Sequence, residues 1–314
     1  MPQRPTNPSA IELDGPWTHH LYHSRGVRIH CADSGSPDAP LVLLVHGFAG
    51  GWFDWQSAPP LLAEDHHAVA MDLRGYGLSD KPPHGYDLGT TALDIAGLVL
   101  ALGHTSATVV AHGESVPAAV IAGLTEPQRI KRVVALNPSH PRQNVDVVTR
   151  HPIRHRDRIT LGMATRFPRL GERWLKADHS LFLEQIVAHL AGSAFRYSDS
   201  FDEYLAIRRF AMGVERVAYY ACLRHRKAAV ATMPRGTAQT VLADWSGWNE
   251  IECSTPPAVR VLHGAEDPLI TASKTARETI ADADHVTVVP GAGHYVHMEA
   301  PHAVRDAVLA VEKA

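Results

Sequence analysis

Two kinds of hydrophobic pattern follow one another along the chain. Thr18 to Tyr22 and Val27 to Cys31 are β-rich runs separated by Ser24-Arg25-Gly26, which predicts a hairpin. The pattern then changes to short, wholly apolar runs, Leu41 to Val45, Ala68 to Met71, Thr108 to Val110 and Val133 to Leu136, separated by helical stretches such as Thr91 to Leu102. Runs of that kind mark parallel strands buried on both faces of a sheet in βαβ units. From about Ser139 to Gly247 the strand signal vanishes, and Ser180 to Leu190 and Phe201 to Arg226 carry helical periodicity instead. After Pro256-Pro257 the first theme resumes with Val259 to Leu262, Val286 to Val289 and a closing helix near Ala303 to Val311. The expected architecture is an α/β core over residues 1–138 and 247–314, with a mainly parallel central sheet and helices on both faces. A helical insertion over 139–246 interrupts it.

Composition narrows the function classes. A net charge of −3 over 314 residues leaves no basic surface for nucleic acid or for an anionic membrane. The most membrane-like stretch, Ile95 to Gly103, is nine residues long, far short of the roughly 20 needed to span a bilayer. Met1 to Ala10 is polar and Pro-rich, without the apolar centre of a secretory signal, and a cytoplasmic protein is expected. Cys31, Cys222 and Cys253 are widely spaced and fit reduced thiols. Histidine is abundant, at 21 residues, and His19/His20, His66/His67 and His151/His155 form pairs. No third ligand stands at metal spacing, so these read as solvated surface histidines, with titration below about pH 6 dominating the charge. No dinucleotide fingerprint or P-loop is present, and no cofactor is implied. Oligomeric state is not readable from the pattern.

In parallel sheets, ligands bind beyond the carboxyl ends of the strands. Five such positions carry suggestive residues: His46-Gly47-Phe48, Ala111-His112-Gly113-Glu114-Ser115, Asn137-Pro138, Gly264-Ala265-Glu266-Asp267 and Gly291-Ala292-Gly293-His294. With Asp72-Leu73-Arg74-Gly75-Tyr76-Gly77 and the acid-then-histidine order, the chain resembles the α/β-hydrolase superfamily over nearly its whole length. Trp52, Trp55 and Leu136-Asn137-Pro138 followed by His140-Pro141 resemble the epoxide-hydrolase-like branch with a helical cap, although the Pro that usually follows His-Gly-Phe there is Ala49 here. The resemblance implies Asp267 as the acid and His294 as the base of a catalytic triad. It implies oxyanion-hole amides at Phe48 and Glu114, a pocket lined by His46 and Trp52, and a small apolar or amphipathic substrate.

The nucleophile is the departure. The superfamily writes Gly-x-nucleophile-x-Gly on a strained strand-to-helix turn. One register places Gly113 at the nucleophile position; the other makes Ser115 the nucleophile. Members usually carry His just before the nucleophile, which His112 supplies only in the first register, and a Pro about 14 residues later. Pro127 stands 14 residues after Gly113 and 12 after Ser115, so spacing favours Gly113. A strained turn costs a non-glycine residue about 1 to 3 kcal/mol, and glycine adopts it freely. Glu114 is a second departure; a carboxylate in a partly apolar pocket is a candidate general acid or base. Tyr219-Tyr220, in the insertion, are candidates for polarising a substrate oxygen, as cap tyrosines do in epoxide hydrolases. These residues leave three expectations: an ester or epoxide hydrolase without a covalent intermediate, an inactive ligand-binding homologue, or a serine hydrolase using Ser115.

Overall fold

The computed structural model describes residues 6–138, 156–176, 181–231, 255–269 and 286–313. His140-Pro141, the His151/His155 pair, Ser180 and Cys253 lie outside them, as do parts of the expected insertion.

Eight strands form one sheet in the order β1-β2-β4-β3-β5-β6-β7-β8: β1 Thr18–Ser24, β2 Val27–Ser34, β3 Leu41–Val45, β4 His67–Met71, β5 Ala107–His112, β6 Ile130–Leu136, β7 Ala258–Gly264 and β8 Val286–Val289. The β1/β2 hairpin is antiparallel and joins β4 antiparallel; every later pairing is parallel. Its turn uses Arg25 and Gly26 at φ 49° and 79°, the mirror-image geometry that matches strand twist. β3, β4 and β5 are buried along their full lengths, as continuous apolar runs require.

Helices cover the sheet. Leu88–Ala101 and Val116–Thr125 pack on each other, while Pro301–Glu312 packs on β6, β7 and the short Pro59–Leu62 helix. Asp87 starts the first of these, its Oδ1 accepting Thr90 N–H at 2.8 Å, and Gly103 at φ 83° ends it.

Between β6 and β7 the described residues are helical: Arg156–Arg166, Pro168–Lys176, Leu181–Leu190, Ser193–Arg196, Asp199–Gly213 and Val217–Ala231. The helical periodicity over Phe201 to Arg226 is carried by two helices. Its break falls after Gly213, where Val214 turns extended (φ −59°, ψ 142°) and Arg216 takes φ 63°. A glycine inside a periodic run is a natural stop, and the apolar period continues across it.

Register decides where chemistry can gather. Val45 is level with Ala111, His112 with Leu136, Leu136 with Leu262, and Gly264 with Val289. The carboxyl ends of β3, β5, β6, β7 and β8 therefore lie side by side. Five loops widely separated in sequence open along one edge.

Candidate active site

β5 delivers His112 into a sharp turn. Gly113 takes φ 57°, a left-handed conformation that L side chains rarely adopt, and Gly113–Ser115 form one 3₁₀ turn leading into Val116–Thr125. A Cβ built on Gly113 would point at His294, 3.4 Å from Nε2 and 3.9 Å from Cε1, and beyond its chain neighbours would meet no other described atom within 4 Å.

His294 is held from behind. Its Nδ1 lies 2.8 Å from Asp267 Oδ2, and its backbone N–H donates to Leu190 O at 2.8 Å. Asp267 has two further donors: Asn137 Nδ2 at 2.6 Å and the Leu269 amide at 2.8 Å. Burial pushes the Asp267 carboxyl up, but the charge and hydrogen bond of His294, with His263 and the Leu269 amide, outweigh it and hold the group below the ordinary carboxylate range. The acid and histidine loops touch closely enough that a Cβ on Gly264 would lie 1.9 Å from Gly293 O, so glycine is obligatory there.

Asn137 and Glu299 complete this arrangement. Asn137, fully buried at φ 42°, bridges Asp267 and Gly293 O, and its residue type was the available signal, since Asn tolerates that backbone and brings a donor. Glu299 accepts from the amides of Gly293 at 2.7 Å and Gly192 at 3.2 Å, tying the histidine loop to the inserted helices. No sequence pattern announces that contact.

The Gly47-Phe48-Ala49 loop runs against His112, the residue before Gly113: a Cβ on Gly47 would lie 3.1 Å from His112 O. Ala49 has φ 53°. The pyrrolidine ring of Pro cannot reach that value, so this loop conformation itself excludes the usual Pro. Arg208, from the Asp199–Gly213 helix, donates to Phe48 O at 3.4 Å and to Asp54 Oδ2 at 3.0 Å. Its guanidinium lies over the rings of Tyr204 and Tyr295, at 4.5 and 4.9 Å. Burial disfavours its charge, and the Asp54 carboxylate more than compensates. Glu114 leaves the turn toward the Val217–Ala231 helix, where its Oε2 lies 2.7 Å from His225 Nδ1.

Other candidate residues go elsewhere. Ser115 is fully buried and donates through Oγ to His46 O at 2.6 Å, so its hydroxyl staples β3 to the turn. His46, expected at the pocket, is buried with both ring nitrogens engaged, by Gly47 O at 2.8 Å and Leu73 N–H at 3.1 Å. Trp52, also expected there, is buried under the hairpin, donating to Ile11 O at 2.9 Å and packing on Trp17 and His19. Its bulk serves the core. Tyr220 is buried and stacks on Tyr86 with ring centroids 4.5 Å apart; Tyr219 is half-buried beside it.

The reading of the histidines as solvated also needs correction. His30, His46, His66, His67, His112, His263, His294 and His297 are all buried. Burial, with His104 alongside, lowers His67 from 6.5 to about 4, and burial likewise depresses His46, His104, His112 and His297. These rings stay neutral where exposed imidazoles charge. No group of three or more His, Cys, Asp or Glu suited to a metal occurs among the described residues. No described helix is long and apolar enough to cross a membrane.

Comparison with known proteins agrees with this architecture. The alpha/beta hydrolase fold family model matches residues 40–301. AB hydrolase superfamily protein YfhM of Bacillus subtilis is 25% identical over 297 residues, covering 91% of this chain and 95% of that one. Epoxide hydrolase A of Mycobacterium tuberculosis is 25% identical over 322 residues, covering 93% and 96%. Among solved structures, haloalkane dehalogenase DbeA from Bradyrhizobium elkani superimposes with a TM-score of 0.71 at 22% identity, over 95% of this chain and 99% of that one. With its parallel sheet, its acid and histidine loops and a family match across most of its length, the chain belongs to the alpha/beta hydrolase fold family.

Proposed function

We propose that this protein is a small-molecule hydrolase in which His294, oriented by Asp267, activates water directly, with no covalent enzyme intermediate. The observation that carries the reading is Gly113: its Cα stands where a side chain would point at His294 Nε2, and only hydrogen is there. Water bound against Nε2 is then the group placed to attack. His294 removes its proton as the oxygen bonds to the electrophilic carbon, and Asp267 steadies the imidazolium.

The charge that develops on the substrate oxygen is met by backbone amides of Phe48 and Glu114. The Glu114 amide opens a helical turn and so has no partner within it. Such donors need no side chain at position 113. They and binding alone can retain on the order of 10³- to 10⁴-fold acceleration when a triad member is missing. The inserted helices, bonded to the histidine loop through Leu190 and Glu299 and to the oxyanion loop through Arg208, act as the roof of the pocket. Epoxide hydrolases among the relatives support a neutral ester or epoxide as the substrate class.

The test compares wild type, His294→Ala, Ser115→Ala and Gly113→Ser on a panel of aryl esters and epoxides. Turnover that survives Ser115→Ala and vanishes with His294→Ala supports the reading. Loss with Ser115→Ala at unchanged thermal stability overturns it in favour of a serine nucleophile. A silent wild type that Gly113→Ser awakens means a scaffold kept for binding.

A further inference from the structure

Beside Gly113 the structure holds a second carboxylate–imidazole pair. Glu114 is the next residue in the chain, and its side chain is 9% exposed. One carboxylate oxygen, Oε2, holds His225 Nδ1 at 2.7 Å; the other, Oε1, is buried and has no hydrogen-bond partner among the described residues. His225 comes from the Val217–Ala231 helix, its side chain is 24% exposed, and its ring meets that of Phe48 at 5.0 Å. The imidazole thus lies over the two residues, Phe48 and Glu114, whose amides face the developing oxyanion.

A carboxylate of that burial is costly unless it is paired and hydrogen-bonded, and His225 is the partner present. Here it grips one ring nitrogen, Nδ1, and leaves Nε2 as the ring's other proton carrier. It is the same relation Asp267 has to His294, made by the residue next to Gly113. Two histidines gripped by carboxylates, one facing Gly113 and the other bound to its neighbour Glu114, make an acid and a base available in one turnover.

Resting on the water-activation reading, we propose that His225, positioned by Glu114, is the general acid that protonates the departing oxygen. As water adds to carbon and His294 takes its proton, the carbon–oxygen bond of the epoxide or ester breaks. Its electron pair stays on oxygen, and that oxygen receives the proton from His225 Nε2. The product is a diol or an acid and alcohol. His225 regains a proton from solvent and His294 returns one, so the cycle closes without a cofactor. This gives the substrate class more sharply: a neutral electrophile with a poor, alkoxide-like leaving oxygen.

The test is kcat/KM across one acyl group esterified to alcohols ranging from p-nitrophenol to ethanol. Wild type, His294→Ala, Glu114→Gln, His225→Gln and His225→Ala with and without added imidazole are compared, each checked for folding by circular dichroism. The expected result is a loss on the order of 10²- to 10⁴-fold in the His225 variants on the ethyl ester, shrinking steadily toward the nitrophenyl ester. Imidazole should restore His225→Ala on the ethyl ester, and Glu114→Gln should show the same trend more weakly. Wild-type turnover that depends on His294 but falls equally, or not at all, across the series in the His225 variants overturns the assignment and leaves the water-activation reading standing. A wild type inert on every ester and also on a small epoxide such as styrene oxide, or indifferent to His294→Ala, removes both.

Discussion

Two aspartate–histidine pairs in this protein are built from the same bond. His30 Nδ1 lies 2.8 Å from Asp72 Oδ2, and His294 Nδ1 lies 2.8 Å from Asp267 Oδ2. Both carboxylates are fully buried, and each takes further bonds, Asp72 from the amides of Trp52 and Leu78, Asp267 from Asn137 and the Leu269 amide. The difference lies at the far nitrogen. His30 Nε2 meets His19 Nδ1 at 3.0 Å, and His19 Nε2 in turn meets Leu13 O at 3.0 Å, so the first chain of bonds closes within the protein. His294 Nε2 faces the bare Cα of Gly113. On the proposed function, what the outer nitrogen meets is what separates a catalytic carboxylate–histidine pair from a structural one.

The sharpest way to break this comparison is to cut both pairs alike. Asp267→Asn should lower kcat by about 10⁴-fold, because the imidazole loses its orienting partner in the step that charges it. Asp72→Asn should leave turnover per folded molecule close to wild type. It should cost about 3 to 5 kcal/mol of stability, the usual result of removing one member of a buried pair. Initial rates corrected for folded fraction, with urea midpoints, measure both. A large rate loss from Asp72→Asn at full folding would erase the distinction.

Acid sharpens it further. His67 titrates at about 4 in the folded chain against an ordinary 6.5, so between those values the unfolded chain binds the proton first and folding weakens as pH falls. His46, His104, His112 and His297 act in the same direction. Asp72 behaves differently: burial would raise it, but the hydrogen bond and charge of His30 hold it at about 2. Its contribution persists above 3.8 and disappears as pH falls from there toward 2. Asp33, Asp54 and Glu299, raised chiefly by burial, oppose these losses. Difference curves are therefore the measurement. Wild type minus His67→Gln should change between about pH 6.5 and 4, by a few degrees in Tm. Wild type minus Asp72→Asn should change only below about pH 4. Coincident windows would mean that the two groups do not titrate separately.

What the chain disclosed in advance follows from the range of each signal. Strands β3, β4 and β5 are legible because burial on both faces leaves an uninterrupted apolar run, β6 to β8, only partly buried, because short β-rich runs remain, and Asp267 and His294 stand out as a candidate pair because glycines and strand ends frame them. Trp52 and His46 were misplaced toward substrate because a residue type near an oxyanion loop says nothing about which way its side chain turns. His225 carries no such signal, because its partner Glu114 is 111 positions away in sequence. Histidine burial was invisible for the same reason: the pairs His67–His104 and His66–Glu312 join distant elements, and only the folded sheet brings them together.

The smallest effect, and the finest test of the opening contrast, is at Asn137. The φ of 42° there would strain alanine, so Asn137→Gly removes the side chain while keeping the backbone at ease. Asp267 then retains His294 and the Leu269 amide but loses its 2.6 Å donor. If Asn137 only steadies the acid, kcat should fall about tenfold, equivalent to roughly 1.4 kcal/mol, with KM little changed. A urea midpoint lowered at constant kcat would instead place Asn137 with the amides that serve Asp72, as part of a closed structural circuit.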